Sequence, residues 1–364
     1  MTKPVRIPQM EPWFDAAERE ALQTYMLGGG WVTEFKETKT FEDALAAFMG
    51  ARHVIVTNNG TVALSLALLA VGVGPGDEVI VPDLTMIASP NSAKMIGAVP
   101  VFADVELPTL NLDVKAVQAA FTKATKAVMH VSFNGRSNDV ERLRALCTAR
   151  GVPLIEDSCQ SLGSYFRPGR HLGTVGAVGC LSFSLPKIIS TGQGGALMTN
   201  DDEIAGRIRR LKDFGRSGGG NDIHHSIGYN FKYTDLQAAV GLAQMKKLPW
   251  RVERKKQIWL RYAQGLAGIR QVEMLPTDLA LVSPWFIDVF VDDREALQAK
   301  LDRVGIGTRP MYPPIHRQKA YGRDDLSFPV TEGYSMRGLW LPSSSQLSDA
   351  DIDRVCAEIR THYA

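Results

Sequence analysis

Between residues 50 and 200 the chain alternates short β-branched runs with Ala- and Leu-rich stretches, and that alternation leaves few folds open. The runs at 54–57, 78–81, 99–103, 127–131 and 153–157 read as strands, and the stretches at 61–71, 88–96, 114–121 and 138–150 read as the helices between them. A strand that returns to its sheet through a helix lies parallel to its neighbour, and the helices then cover both faces. Strands buried on both sides leave polar residues to the strand ends, and ligands gather at the carboxyl ends beside helix amino termini. After Asn200 the texture changes. Helices are expected at 203–214, 234–247 and 250–268, then a strand at 285–291 and helices at 294–304 and 348–363. The first ~30 residues read as an arm with a helix over 12–27. The expected class is α/β: a large domain over residues 1–250 with a mostly parallel mixed sheet between helices, and a smaller C-terminal α+β domain over 251–364 that includes the long connecting helix.

Composition narrows the partners. A net charge of +2 offers no electrostatic pull toward nucleic acid or an anionic membrane. No stretch approaches ~18 apolar residues, and the amino terminus lacks an apolar signal core. The four cysteines show neither a CxxC pair nor metal-ligand spacing. The expectation is a cytoplasmic protein with reduced thiols, no metal and no membrane span.

Three polar features fall at strand ends of the α/β region. Lys187 follows the apolar run 177–181 and Ser182-Phe183-Ser184, and precedes the glycine-rich turn 192–195 and a second short strand, 196–199. In a partly apolar pocket a lysine loses its proton and attacks carbonyls, forming a Schiff base. The same local sequence suits a lysine that snorkels from a strand end to water. Asn58-Asn59-Gly60-Thr61 lies between a strand and a helix, where glycine admits a close ligand and the first helix amides favour an anion. An Asn-Gly turn with a capping Thr explains it equally. Asp157 closes a strand, with Gln160 just beyond, and either caps a helix or meets a cation. Together the three match the handles of pyridoxal 5′-phosphate: its phosphate, its pyridine nitrogen and its aldehyde.

The order of motifs then resembles the DegT/StrS-type nucleotide-sugar aminotransferases, pyridoxal-phosphate enzymes of aspartate-aminotransferase fold. The resemblance runs through Asn59-Gly60-Thr61-Val62-Ala63-Leu64, Gly76-Asp77-Glu78-Val79-Ile80-Val81-Pro82, Glu156-Asp157 with Gln160, Ser182-Phe183, Lys187, the turn 192–195, Gly228-Tyr229-Asn230-Phe231-Lys232, and Arg309-Pro310 with His316. It implies that Lys187 bonds the cofactor and moves the proton, that Asp157 holds the ring nitrogen, and that Gln160 bonds near the ring hydroxyl. Gly60, Thr61 and Ser182 are implied as phosphate ligands, joined by Asn230 from the neighbouring subunit of a homodimer with shared sites. Asn134, His224, Lys232, Arg309 and His316 are the expected substrate contacts.

Four departures from the family pattern stand out, one of them Phe133-Asn134-Gly135 in place of the more common Tyr-Gly pair. Met86 replaces the usual aromatic residue over the ring, Gln193 the usual Glu, and Lys232 the usual Arg. Retention of Lys187 is unlike the family's dehydratase branch. The implied substrates are L-glutamate and a nucleotide-linked keto sugar. A GDP-linked 4-keto-6-deoxyhexose of the perosamine type comes first and UDP- or dTDP-linked sugars next, for surface polysaccharide or antibiotic glycans. A lyase or decarboxylase acting on amino acids would use the same scaffold, with Arg309 as carboxylate clamp, and a non-catalytic regulator would keep the fold alone.

Overall fold

The computed structural model describes residues 6–218 and 222–364. Its centre is a seven-stranded sheet. The strands are β1 (His53–Thr57), β2 (Glu78–Pro82), β3 (Val99–Ala103), β4 (Thr125–Val131), β5 (Leu154–Asp157), β6 (Val178–Ser182) and β7 (Gly195–Thr199). In space they run β1-β7-β6-β5-β4-β2-β3. β3, β2, β4, β5 and β6 are parallel in sequence, and β7 runs antiparallel to both β6 and β1. The expected mixed, mostly parallel sheet is therefore what forms.

Alternate residues of each strand feed two layers. On one face Ile55, Val79, Met129, Ile155 and Leu197 pack with α3 (Gly60–Ala70), α4 (Ala88–Met95) and α7 (Asp202–Lys212). On the other face Ile80, Val128 and Leu154 meet α5 (Val114–Ala120) and α6 (Val140–Ala149), while Val54, Val56 and Leu181 meet α2 (Lys36–Met49) and α8 (Asp235–Leu266). α3 is apolar along almost its whole length because nearly every position is buried. That placement sets its amino end, at Gly60, against the carboxyl ends of the strands.

Three helices differ from expectation, one of them an unanticipated helix over Pro329–Arg337. Segments 234–247 and 250–268 form the single helix α8, with Pro249 inside it. Proline removes one helix hydrogen bond and crowds the preceding turn, but side chains on both sides of it are anchored. Gln244 Nε2 donates to Glu18 Oε1 (2.7 Å), and the Arg251 guanidinium donates to the carbonyls of Ile188 (2.8 Å) and Trp13 (2.9 Å). α2 was not anticipated, although Phe41, Leu45 and Met49 form one buried stripe four residues apart. Its own N-cap position, Phe35, offers no side-chain cap. Asp235, in the first turn of α8, supplies one instead: its carboxylate accepts from the amides of Phe35 (2.8 Å), Glu37 (3.1 Å) and Thr38 (2.9 Å), and from the hydroxyls of Thr38 (2.6 Å) and Tyr25 (3.0 Å).

Beyond α8 a three-stranded antiparallel sheet, β8 (Ile287–Phe290), β9 (Arg309–Pro310) and β10 (Gly338–Leu341), takes the order β8-β10-β9. It packs with α9 (Arg294–Arg303), α11 (Asp349–Tyr363) and the second half of α8 around Ile258, Tyr262, Val289, Leu301 and Val355. Helix α10 (Pro329–Arg337) leads into β10. Among the described residues no helix is long and apolar enough to cross a membrane.

Candidate active site

A cavity of about 590 Å³ opens at the carboxyl ends of β1, β2, β5 and β6, lined by Gly60, Thr61, Met86, Asp157, Cys159, Gln160, Ser182, Ser184, Lys187 and Gln193 among others. At one end lies the first turn of α3. Asn59 takes the amide of Val62 on its Oδ1 (2.9 Å) and that of Ala63 on its carbonyl (3.1 Å), which leaves the amides of Gly60 and Thr61 without a partner inside the helix. A Cβ on Gly60 would come within 2.8 Å of the Ser182 Cβ, and one on Gly195 within 2.5 Å of the Asn59 carbonyl oxygen. Two glycines thus hold the β1–α3 turn tight against β6 and β7, so that backbone amides and the Ser182 and Ser184 hydroxyls face one small volume. Such a cradle suits a phosphate.

At the other end Asp157 is almost wholly buried. Its Oδ2 accepts from Ser89 Oγ (2.7 Å), which in turn is hydrogen-bonded to Thr85 Oγ1 (2.8 Å), and its Oδ1 accepts from the Cys159 amide (3.2 Å). No cation forms an ion pair with it among the described residues. A buried carboxylate without a cation is costly, and a protonated ring nitrogen in the cavity removes that cost. Gln160 is oriented from outside: its Oε1 accepts from the Asn134 amide (2.7 Å), leaving the NH₂ as the group it can donate. The residues therefore fit pyridoxal 5′-phosphate at both its phosphate and its ring.

Lys187 sits between these two ends. Burial pushes its amine below the ordinary lysine value, and Arg309 reinforces that, while Cys159 and Asp157 pull the other way. The ammonium lies 4.1 Å from the centre of the Trp285 ring. Met86 flanks the cavity with its side chain 44% exposed, and its sulfur accepts from the Ala88 amide at 3.0 Å. The thioether is therefore held by its own loop beside the space that a ring would fill. Arg309 stacks over Trp340 and Tyr312 and, among the described residues, pairs with no carboxylate.

Other expected contacts are placed elsewhere. Asn134 departs from the substrate-facing expectation: it is buried, its Oδ1 accepts from the Phe286 amide (2.6 Å) and its Nδ2 donates to the Phe286 carbonyl (2.8 Å), so both ends of its amide are spent on the fold. His316 departs as well. It is fully buried, bonded through Nδ1 to Asp83 Oδ2 (2.6 Å) and through its amide to Asp83 Oδ1 (2.8 Å), which stitches the C-terminal region to the loop that carries Met86. His224, Asn230 and Lys232 lie outside the cavity on a segment tied to 213–216: His224 bonds the Phe214 carbonyl (2.8 Å), Asn230 bridges Asp213, and Lys232 pairs with Asp213 (3.1 Å). The sequence reading missed Ser89, Ser184, Cys159 and Trp285. Ser184 stood inside a motif already singled out, whereas Ser89 and Trp285 reach the site only through tertiary packing.

The comparisons agree with this geometry. The sequence pattern of the DegT/DnrJ/EryC1/StrS aminotransferase family matches residues 14–360. GDP-perosamine synthase of Vibrio cholerae is 35% identical over 365 residues, covering 98% of this chain and 99% of that protein. The solved aminotransferase TlmJ from Streptoalloteichus hindustanus superposes with a TM-score of 0.92 at 34% identity, covering 98% of each chain. NtdA from Bacillus subtilis, solved with bound cofactor PMP, superposes with a TM-score of 0.89 at 28% identity over 96% of this chain and 82% of that one.

Proposed function

This chain belongs to the DegT/DnrJ/EryC1/StrS aminotransferase family, and from that membership we propose that it moves an amino group from L-glutamate to a GDP-linked 4-keto-6-deoxyhexose in the cytosol. The observation that carries the aminotransferase chemistry is one cavity holding a lysine amine depressed by burial, a buried carboxylate without a cation, and a cradle of helix amides. The nucleotide and sugar rest on likeness to a GDP-perosamine synthase along nearly the whole chain.

Pyridoxal 5′-phosphate supplies an electron sink and stores the amino group between the two half-reactions. Asp157 would hold its ring nitrogen, with Ser89 and the Cys159 amide fixing the carboxylate. Gly60, Thr61 and Ser182 would hold its phosphate, and Gln160 would donate beside the ring hydroxyl. Lys187 Nζ, whose proton burial makes easier to lose, would accept and return a proton at the reacting carbon. Arg309, stacked and unpaired, is the group in reach of Lys187 suited to a carboxylate of glutamate. We further propose a homodimer in which Asn230 of one subunit reaches the phosphate held by the other. Its support is the exposed segment around Asn230, on which the apolar side chains of Phe214, Ile223, Ile227 and Tyr229 are also exposed.

Purified protein is to be incubated with L-glutamate and, in turn, GDP-, UDP- and dTDP-linked 4-keto-6-deoxyhexoses, reading the aminated product by mass. Turnover is expected with the GDP-linked sugar, and Lys187→Ala is expected to lower kcat by about 10³-fold or more. Preference for a UDP- or dTDP-linked sugar overturns the nucleotide assignment, and turnover with none of them overturns the sugar assignment.

A further inference from the structure

Trp285 arrives at Lys187 from the C-terminal part of the chain, in the loop just before β8. Three contacts fix its indole. Nε1–H donates to the carbonyl of Pro186, the residue before Lys187, at 2.9 Å. The ring stacks on Phe286 with centroids 3.9 Å apart and meets Trp340 edge-on at 5.9 Å. The Phe286 backbone is in turn clamped at both its amide and its carbonyl by the Asn134 side chain. Trp285 is 5% exposed. The indole is therefore tied to the very turn that carries the lysine, with its face toward the ammonium at 4.1 Å.

The charged and titratable groups around Lys187 come from several elements. Asp157 ends β5 and Cys159 follows it, Arg309 lies on β9, and Glu11, Arg251 and Lys255 border a small cavity that Lys187 also lines. None of the carboxylates forms a salt bridge with Lys187 among the described residues, and both Asp157 oxygens already accept hydrogen bonds. A desolvated ammonium without a carboxylate in ion-pair contact gains from a further source of negative potential, and the face of an indole is the strongest such surface among aromatic side chains.

We infer that Trp285 is a positioning residue for Lys187, holding the protonated amine on its ring face whenever that amine is not bonded to a carbonyl. The indole works against the desolvation that drives the proton off, so the amine is poised rather than simply neutral. The contact also fixes where the freed amine rests, beside the cavity that Asp157 lines with it. The inference rests on Lys187 being the reactive amine and is independent of which nucleotide sugar is used.

The test is competitive labelling of Lys187 in the full chain stripped of cofactor, using a limiting amine-specific acylating reagent over a pH series and reading the Lys187 peptide by mass spectrometry. It needs no turnover, so its failure is separable from failure of the sugar assignment. Trp285→Leu is expected to lower the labelling midpoint by about half a unit to one unit, and Trp285→Phe, which keeps an aromatic face, by less. Biosynthetic replacement of tryptophan by 5-fluorotryptophan keeps the shape and the N–H while weakening the ring face, and is expected to move the midpoint the same way by a smaller step. That protein decides the matter if Trp285→Leu fails to fold. An unchanged midpoint in the fluorinated protein overturns the inference, even where the Leu variant shifts, because packing rather than the ring face would then be responsible.

Discussion

His130 lies in β4 with neither ring nitrogen hydrogen-bonded among the described residues, and burial pushes its pKa down to about 4. The unfolded imidazole titrates near 6.5. Between those values the unfolded chain takes up a proton that the folded chain refuses, so stability falls as pH falls from 6.5 toward 4 and the difference stops growing below that. At about 1.4 kcal/mol per unit this amounts to roughly 3 kcal/mol. Replacing His130 by Leu is expected to remove this component. Urea unfolding of both proteins at pH 7, 6 and 5 reads it as a flatter loss of stability in the variant, and equal slopes would falsify the assignment. His130 also shows where sequence reading stops. Its place in a strand is plain from its neighbours Val128, Met129 and Val131, but the absence of any partner is a property of the assembled sheet.

At the scale of elements, the amino end of α2 depends on a carboxylate from the far end of the large sheet's sequence. Asp235 accepts five hydrogen bonds there, and their net effect holds its carboxyl below the ordinary carboxylate value despite the opposing effect of burial. Asp235→Asn, which keeps the size and loses the charge, is expected to cost about 1–3 kcal/mol of stability while leaving the visible absorbance of the bound cofactor in place. Thermal unfolding followed by circular dichroism checks it, and a melting temperature within error of wild type would count against the cap. This pairing explains what the sequence did and did not disclose. The sheet's strands and α3 to α7 were legible because each carries its own period or its own terminal signals. Helix α2 carries a buried stripe but no starting signal, since its cap sits on another helix. Likewise Pro249 reads as a break in α8 because the anchors that override it, Glu18, Trp13 and Ile188, are distant in sequence. In the site, Lys187, Asp157 and Gly60-Thr61 were readable from strand ends, whereas Asn134 and His316 were polar residues whose partners only folding reveals.

For the whole molecule, the proposed dimer makes a quantitative demand. If Asn230 serves the other subunit's cofactor, Lys187→Ala and Asn230→Ala chains each give weakly active homodimers. Mixing them by co-refolding makes half of the dimers mixed, and each mixed dimer holds one site with both residues intact. Activity is therefore expected to recover to about a quarter of wild type. Recovery no greater than the sum of the parents means that Asn230 acts within its own chain or not at all.

The position of Trp285 in the chain has a consequence for how the protein is made. All seven strands of the large sheet, the helix whose amino end is the proposed phosphate cradle, Asp157 and Lys187 lie before residue 200. The indole that covers the lysine and the arginine beside it are translated much later. A chain that ends after the last strand of the large sheet lacks both, because they lie in the last third of the sequence. The surroundings of the reactive amine are thereby divided between an early and a late part of the chain, and only the late part brings its aromatic cover.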